Sequence, residues 1–207
     1  MLAEQEVQGS RQSSRSNRSP LRRLFANRSG AASIEFAILA IPFMVVVFAC
    51  FETFFAFTGE RLLAHATEVM ARKVRTGEIT FARGKPTDMT EQQFRQAFCT
   101  EISVMLTCSA GEGAEPSRLL IDVKSTTDLA QLPVDIPRMA TSNDINAGNF
   151  AFAPGGPGTY NVLRAYYRWS VITDLVRPFV TNLRPAGSSM PRDYLMVATA
   201  TFRNENE

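Results

Sequence analysis

Residues 30–57 read GAASIEFAILAIPFMVVVFACFETFFAF, and the fold turns on this stretch. From Phe36 to Phe51 it carries no charge, and if Glu52 is tolerated the apolar run continues to Phe57. About 22 residues of helix rise roughly 33 Å, enough to cross a hydrocarbon core. A helix buried in a soluble core would show a polar stripe at helical spacing, and none is present between Phe36 and Phe51. The apolar part of a cleaved secretory signal would be shorter and end in small residues, whereas this one ends FFAF. The reading is a transmembrane helix over residues 31–58, bent locally where Pro42 removes a helical hydrogen bond.

Outward from it on the N-terminal side, residues 1–30 hold Arg11, Arg15, Arg18, Arg22, Arg23 and Arg28 against only Glu4 and Glu6, although the whole chain is close to neutral at +2. A basic cluster leading directly into an apolar span sets membrane orientation, so residues 1–30 are predicted to be a cytoplasmic leader and residues 59–207 a periplasmic domain. The same placement, with no interleaved aromatics, argues against nucleic acid as a partner. Arg61, Arg72, Lys73 and Arg75 follow the span and weaken the charge asymmetry. Arg22 and Arg23 are a poor twin-arginine signal, since no A-x-A site follows.

Glu35 stands where the apolar run begins, and an unpaired carboxylate drawn into lipid is costly. Five residues earlier is Gly30. The stretch RSGAASIEFAILAIPF resembles the processing site of type IV pilin-like proteins, in which a prepilin peptidase cuts after glycine and glutamate is the fifth residue of the mature chain. Cleavage between Gly30 and Ala31 would make Glu35 the fifth residue. It would also create an α-amino group on Ala31, a positive partner for the carboxylate in a low-dielectric setting, or for that of a neighbouring subunit. Without cleavage, Glu35 would snorkel from an uncleaved anchor.

The basic leader, RSGAASIEFA, the apolar helix and the terminal Ala200-Thr201-Phe202-Arg203-Asn204-Glu205 together resemble the TadE-like family of Tad-type (tight adherence, Flp-type) pilus pseudopilins. The leader is long for a pilin, and Asn206 replaces the usual proline after the terminal glutamate. The resemblance implies a non-enzymatic minor pseudopilin or assembly factor supporting pilus biogenesis and surface adhesion. Its implied partners are inner-membrane lipid, the prepilin peptidase, other pilin-like subunits and the inner-membrane assembly platform. The alternatives are an uncleaved, anchored periplasmic scaffold or binding protein unrelated to pili, and an anchored enzyme whose site forms only on folding.

Beyond the span, Leu62, Ala66, Val69, Met70 and Val74 recur at helical spacing, and Gly77 is predicted to end that helix. Thr90 with Gln93 resembles a capping box that starts a second, amphipathic helix. Its apolar stripe is Phe94, Phe98, Ile102 and Met105, and it is expected to run to about Thr107. Leu119, Ile121 and Val123 alternate with Leu120, Asp122 and Lys124 as a strand. Tyr160–Val171 and Tyr194–Phe202 are two further strands. The expected fold class is α+β: a long N-terminal helix that is transmembrane in its first half, a second helix, and a small antiparallel sheet. Residues 133–159, with the run PGGPG, read as a long exposed loop able to contact a partner.

Cys99 and Cys108 lie nine positions apart in the region assigned to an oxidising compartment, where a disulfide is the expected structural reading. Cys50 falls inside the span and reads as a packed apolar residue. One histidine, His65, cannot support a zinc site, and it reads as a surface or interface position. Glu52 is expected to snorkel to the membrane interface, with pairing inside an assembly as the alternative. No nucleophile elbow, paired-carboxylate signature, cofactor motif or phosphate-binding G-K-[ST] is present.

Overall fold

The computed structural model describes residues 31–128, 130, 135–140, 142–171, 173, 177–184 and 192–205. In chain order the main elements are α1 (Ala31–Arg75), α2 (Glu91–Ile102), β1 (Leu119–Thr126), β2 (Tyr160–Ser170), a short α3 (Arg177–Val180) and β3 (Asp193–Arg203). The class is α+β, as the sequence predicts. The chain divides into two compact units, Met1–Val45 and Val46–Glu207.

In the first unit the described part is the opening of α1, whose apolar side chains, among them Phe36, Ile38, Leu39 and Phe43, are exposed. The helix passes through Pro42 without interruption. It is long and apolar enough to cross a membrane.

In the second unit α1 changes character. Glu52, Ala56, Leu63, Ala66, Met70 and Val74 are buried along one face, while Phe51, Phe54, Phe55 and Phe57 stay exposed on the other. The small residues Ala56 and Gly59 allow close approach: a Cβ built on Gly59 would lie 3.0 Å from Met196 Cε and 3.2 Å from Leu106 Cδ2. The helix ends at Arg75, and Gly77 at φ 77° takes the left-handed conformation that reverses the chain, which a glycine adopts without a steric penalty.

Helix α2 starts at the expected capping box, Thr90 accepting from Gln93 N and Gln93 accepting from Thr90 N. It stops at Ile102, short of the expected Thr107, and Leu106 rather than Met105 enters the core. The reason is the cysteine pair. Nine residues of continuous helix would separate Cys99 and Cys108 by about 13.5 Å, whereas their Cα atoms are 6.0 Å apart with both Sγ atoms at disulfide-bonding distance.

The sheet order is β1-β2-β3, antiparallel throughout, with Leu119 opposite Tyr167 and Leu163 opposite Ala200. Its inner face, with Ile121, Val123, Ala165, Tyr167, Met196 and Ala198, packs on α1 and α2 in one core. The outer face is also covered, which the alternation in β1 does not announce. Ile145 and Leu183 close over Leu120, Tyr166 and Leu195, and Phe150 stacks on Tyr166 with ring centroids 5.0 Å apart. Asp122 is therefore buried, accepting Ala151 N–H at 3.0 Å and pairing with Lys124 Nζ at 3.0 Å. The described part of the 133–159 segment carries no strand, yet it is no simple exposed loop. Phe152 is buried against Phe94 and Phe81, centroids 4.9 Å and 5.2 Å away.

Candidate functional site

Of the residues that the sequence singles out, Gly30 lies outside the described set, and Ala31 is the first residue of α1. Glu35 is exposed on the second turn of that helix, with apolar residues following it for four turns. Cys50 is exposed on the same helix, and His65 is a surface residue. Among the described residues, no cluster of three or more His, Cys, Asp or Glu is placed to hold a metal ion.

Glu52 departs from expectation. It does not snorkel: the residue is 5% exposed, and its carboxylate accepts hydrogen bonds from Trp169 Nε1 and Thr173 Oγ1, each at 3.3 Å. Two donors, one near the end of β2 and one beyond it, therefore grip α1 where the charge-free run ends. Two turns further on, Tyr194 Oη donates to Glu60 at 2.5 Å, which pushes the phenol up to about 12 because its proton is held by the carboxylate. Only folding brings these partners together, more than 100 positions apart, so no local pattern betrays them.

At the other end of α1 the terminal aromatic-R-N-E run acts as a clasp. Glu205 N–H donates to Arg75 O at 3.1 Å, and its carboxylate meets Arg75 Nε at 3.4 Å. Asn204 Nδ2 donates to Gly155 O at 2.7 Å, while Arg203 Nε donates to Gly158 O at 3.0 Å. The PGGPG segment is thus fastened between the chain's tail and the end of the helix.

Beside the cysteine pair, Glu112 is buried and its carboxylate collects backbone N–H groups from Ser109, Ser117, Arg118 and Leu119 together with the hydroxyls of Ser109 and Ser117. Burial opposes its ionisation, but these donors outweigh it and hold the carboxyl at about 2. Glu112 is a staple for the loop between α2 and β1.

Residues 30–72 match the family model for TadE-like protein. The matched stretch begins at Gly30, contains Glu35 and Glu52, and ends within α1, so the TadE-like segment is the helix itself. The sheet and α2 lie outside it. No curated protein and no solved structure matches the chain.

Proposed function

We propose that the protein is a minor pseudopilin or assembly factor of a Tad-type pilus, non-enzymatic, and supporting pilus biogenesis and surface adhesion. The observation that carries this reading is the coincidence of the TadE-like match at residues 30–72 with an exposed apolar helix long enough to cross a membrane. In this reading residues 1–30 are a cytoplasmic leader, α1 anchors the chain in the inner membrane, and residues 59–207 form the periplasmic domain. A prepilin peptidase cuts between Gly30 and Ala31. The new amine offsets Glu35 in lipid, within one subunit or between pilin-like neighbours at the assembly platform. The Cys99–Cys108 pair is a disulfide in the oxidising periplasm.

Two variants test it by separating maturation from assembly. Gly30→Leu should keep the leader, because a bulky side chain before the scissile bond obstructs the peptidase. Glu35→Ala should be processed but should fail to support piliation. Normal piliation by a Glu35→Ala strain would remove the carboxylate from assembly.

A further inference from the structure

Two observations in the second unit bear on where the membrane surface lies against the folded domain. The first is Glu52, the first charged residue after the apolar run, buried against Trp169 and Thr173. The second is Phe179 on α3, among the most exposed large apolar side chains of the described residues at 87%. They are joined by a short path: Thr173 Oγ1 donates to Glu52 Oε2 at 3.3 Å, and Arg177 N–H donates to Thr173 O at 3.1 Å. Thr181 N–H and Arg177 O then close the turn at 3.0 Å, and an Arg177 guanidinium N–H reaches Val171 O at 3.3 Å. Phe179 therefore lies six positions along the chain from the residue that sits on Glu52, in the turn that the Arg177 contacts fix.

From these contacts we infer that Thr173 and α3 rest on the outer surface of the bilayer, with Phe179 inserted among the lipid headgroups and acyl-chain ends. The inference rests on α1 being a membrane anchor. On that reading the hydrocarbon core ends where Glu52 brings the first charge after the apolar run, inside the 31–58 bounds read from the sequence, so Glu52 and Thr173 fall at its outer boundary. The headgroup layer occupies about 5–7 Å beyond that boundary. The rings of Phe54, Phe55 and Phe57, within two turns beyond Glu52 on α1, are exposed as Phe179 is. Phe side chains on a surface-lying element bury at the boundary of headgroups and acyl chains. A lipid surface is thus the occupant that accounts for the exposed aromatics on both elements, and it meets the domain at α3 as well as at α1.

The chain contains one tryptophan, Trp169, which is itself on Glu52 and so reports the boundary without any substitution. The full chain would be reconstituted in phosphatidylcholine vesicles containing lipids spin-labelled near the headgroup or deep in the acyl chain. Wild-type Trp169, and the indole at position 179 of a Trp169→Phe/Phe179→Trp variant, should each lose emission with the shallow label and lose less with the deep one. A Trp169→Phe/Phe48→Trp variant reads insertion of α1 itself. If the residue-48 probe is quenched by lipid while the probes at 169 and 179 are not, the membrane anchor stands and the docking of α3 is overturned. If the residue-48 probe is not quenched either, the anchor reading fails and takes this inference with it. A residue-179 probe that is shielded from a soluble quencher yet untouched by labelled lipid would mean a protein neighbour and would also overturn it.

Discussion

Replacing Glu112 by glutamine should destabilise the folded domain by about 3 kcal/mol at neutral pH, and the penalty should shrink to about 1 kcal/mol at about pH 2.5. The carboxyl moves from 4.5 to about 2 on folding, a shift caused by the backbone N–H groups and two serine hydroxyls that converge on it against the opposing effect of burial. At about 1.36 kcal/mol per pKa unit, a difference of roughly 2.5 units corresponds to about 3 kcal/mol. The sign follows from the depressed value: the contribution is complete above the unfolded pKa near 4.5 and is lost as pH falls towards 2. Glutamine keeps the shape, but it loses the charge and brings an NH2 group to face donors. The assay is urea unfolding of the full chain in a mild detergent, followed by the fluorescence of Trp169, at about pH 7 and about pH 2.5 for both proteins. Equal stability of wild type and Glu112→Gln at neutral pH, or a gap that persists unchanged in acid, would refute the assignment of Glu112 as a charged staple.

The same unfolding assay should show Glu52→Leu to be about 1–3 kcal/mol less stable, because Trp169 Nε1 and Thr173 Oγ1 lose their acceptor; an unchanged midpoint would mean these bonds are dispensable. Thiol labelling without reductant should alkylate neither Cys99 nor Cys108, and the Cys99→Ser/Cys108→Ser variant should lose about 2–3 kcal/mol for a loop of this length. Two freely labelled thiols would reject the bridge. Gly59→Leu should cost about 1–3 kcal/mol by forcing α1 away from Met196 and Leu106, and thermal unfolding that matches wild type would show that the contact relaxes freely. Asn204→Ala should weaken the clasp on Gly155, which limited proteolysis would report as faster cutting at residues 154–158.

Legibility in the sequence follows the range of the interactions. Helix α1 announces itself through an uninterrupted apolar run, α2 through Thr90 and Gln93, and the strands through β-branched and aromatic clusters, all signals carried by near neighbours. The end of α2 falls earlier than its pattern implies because Met105 continues the helical stripe, while the cysteine pair and Leu106 turn the chain at Ser103. Asp122 reads as a solvent-facing residue of β1 because nothing local shows that residues 145–152 fold back over that side of the sheet. Glu52 reads as a snorkelling carboxylate for the same reason, its partners lying 117 and 121 positions away. The motif around Gly30 and Glu35 is a run of near neighbours, so the proposed processing site is read from the sequence alone.

The proposed function turns on whether the stretch that matches the TadE-like family model is matured like a pilin. Intact-mass and N-terminal peptide measurement on the protein taken from membranes of piliated cells tests it most directly. The expected result is a chain that begins at Ala31 and lacks residues 1–30, with the Gly30→Leu variant retaining them. A wild-type protein that keeps Met1 to Gly30 while the cells are normally piliated would contradict it and leave α1 as an uncleaved single-pass anchor.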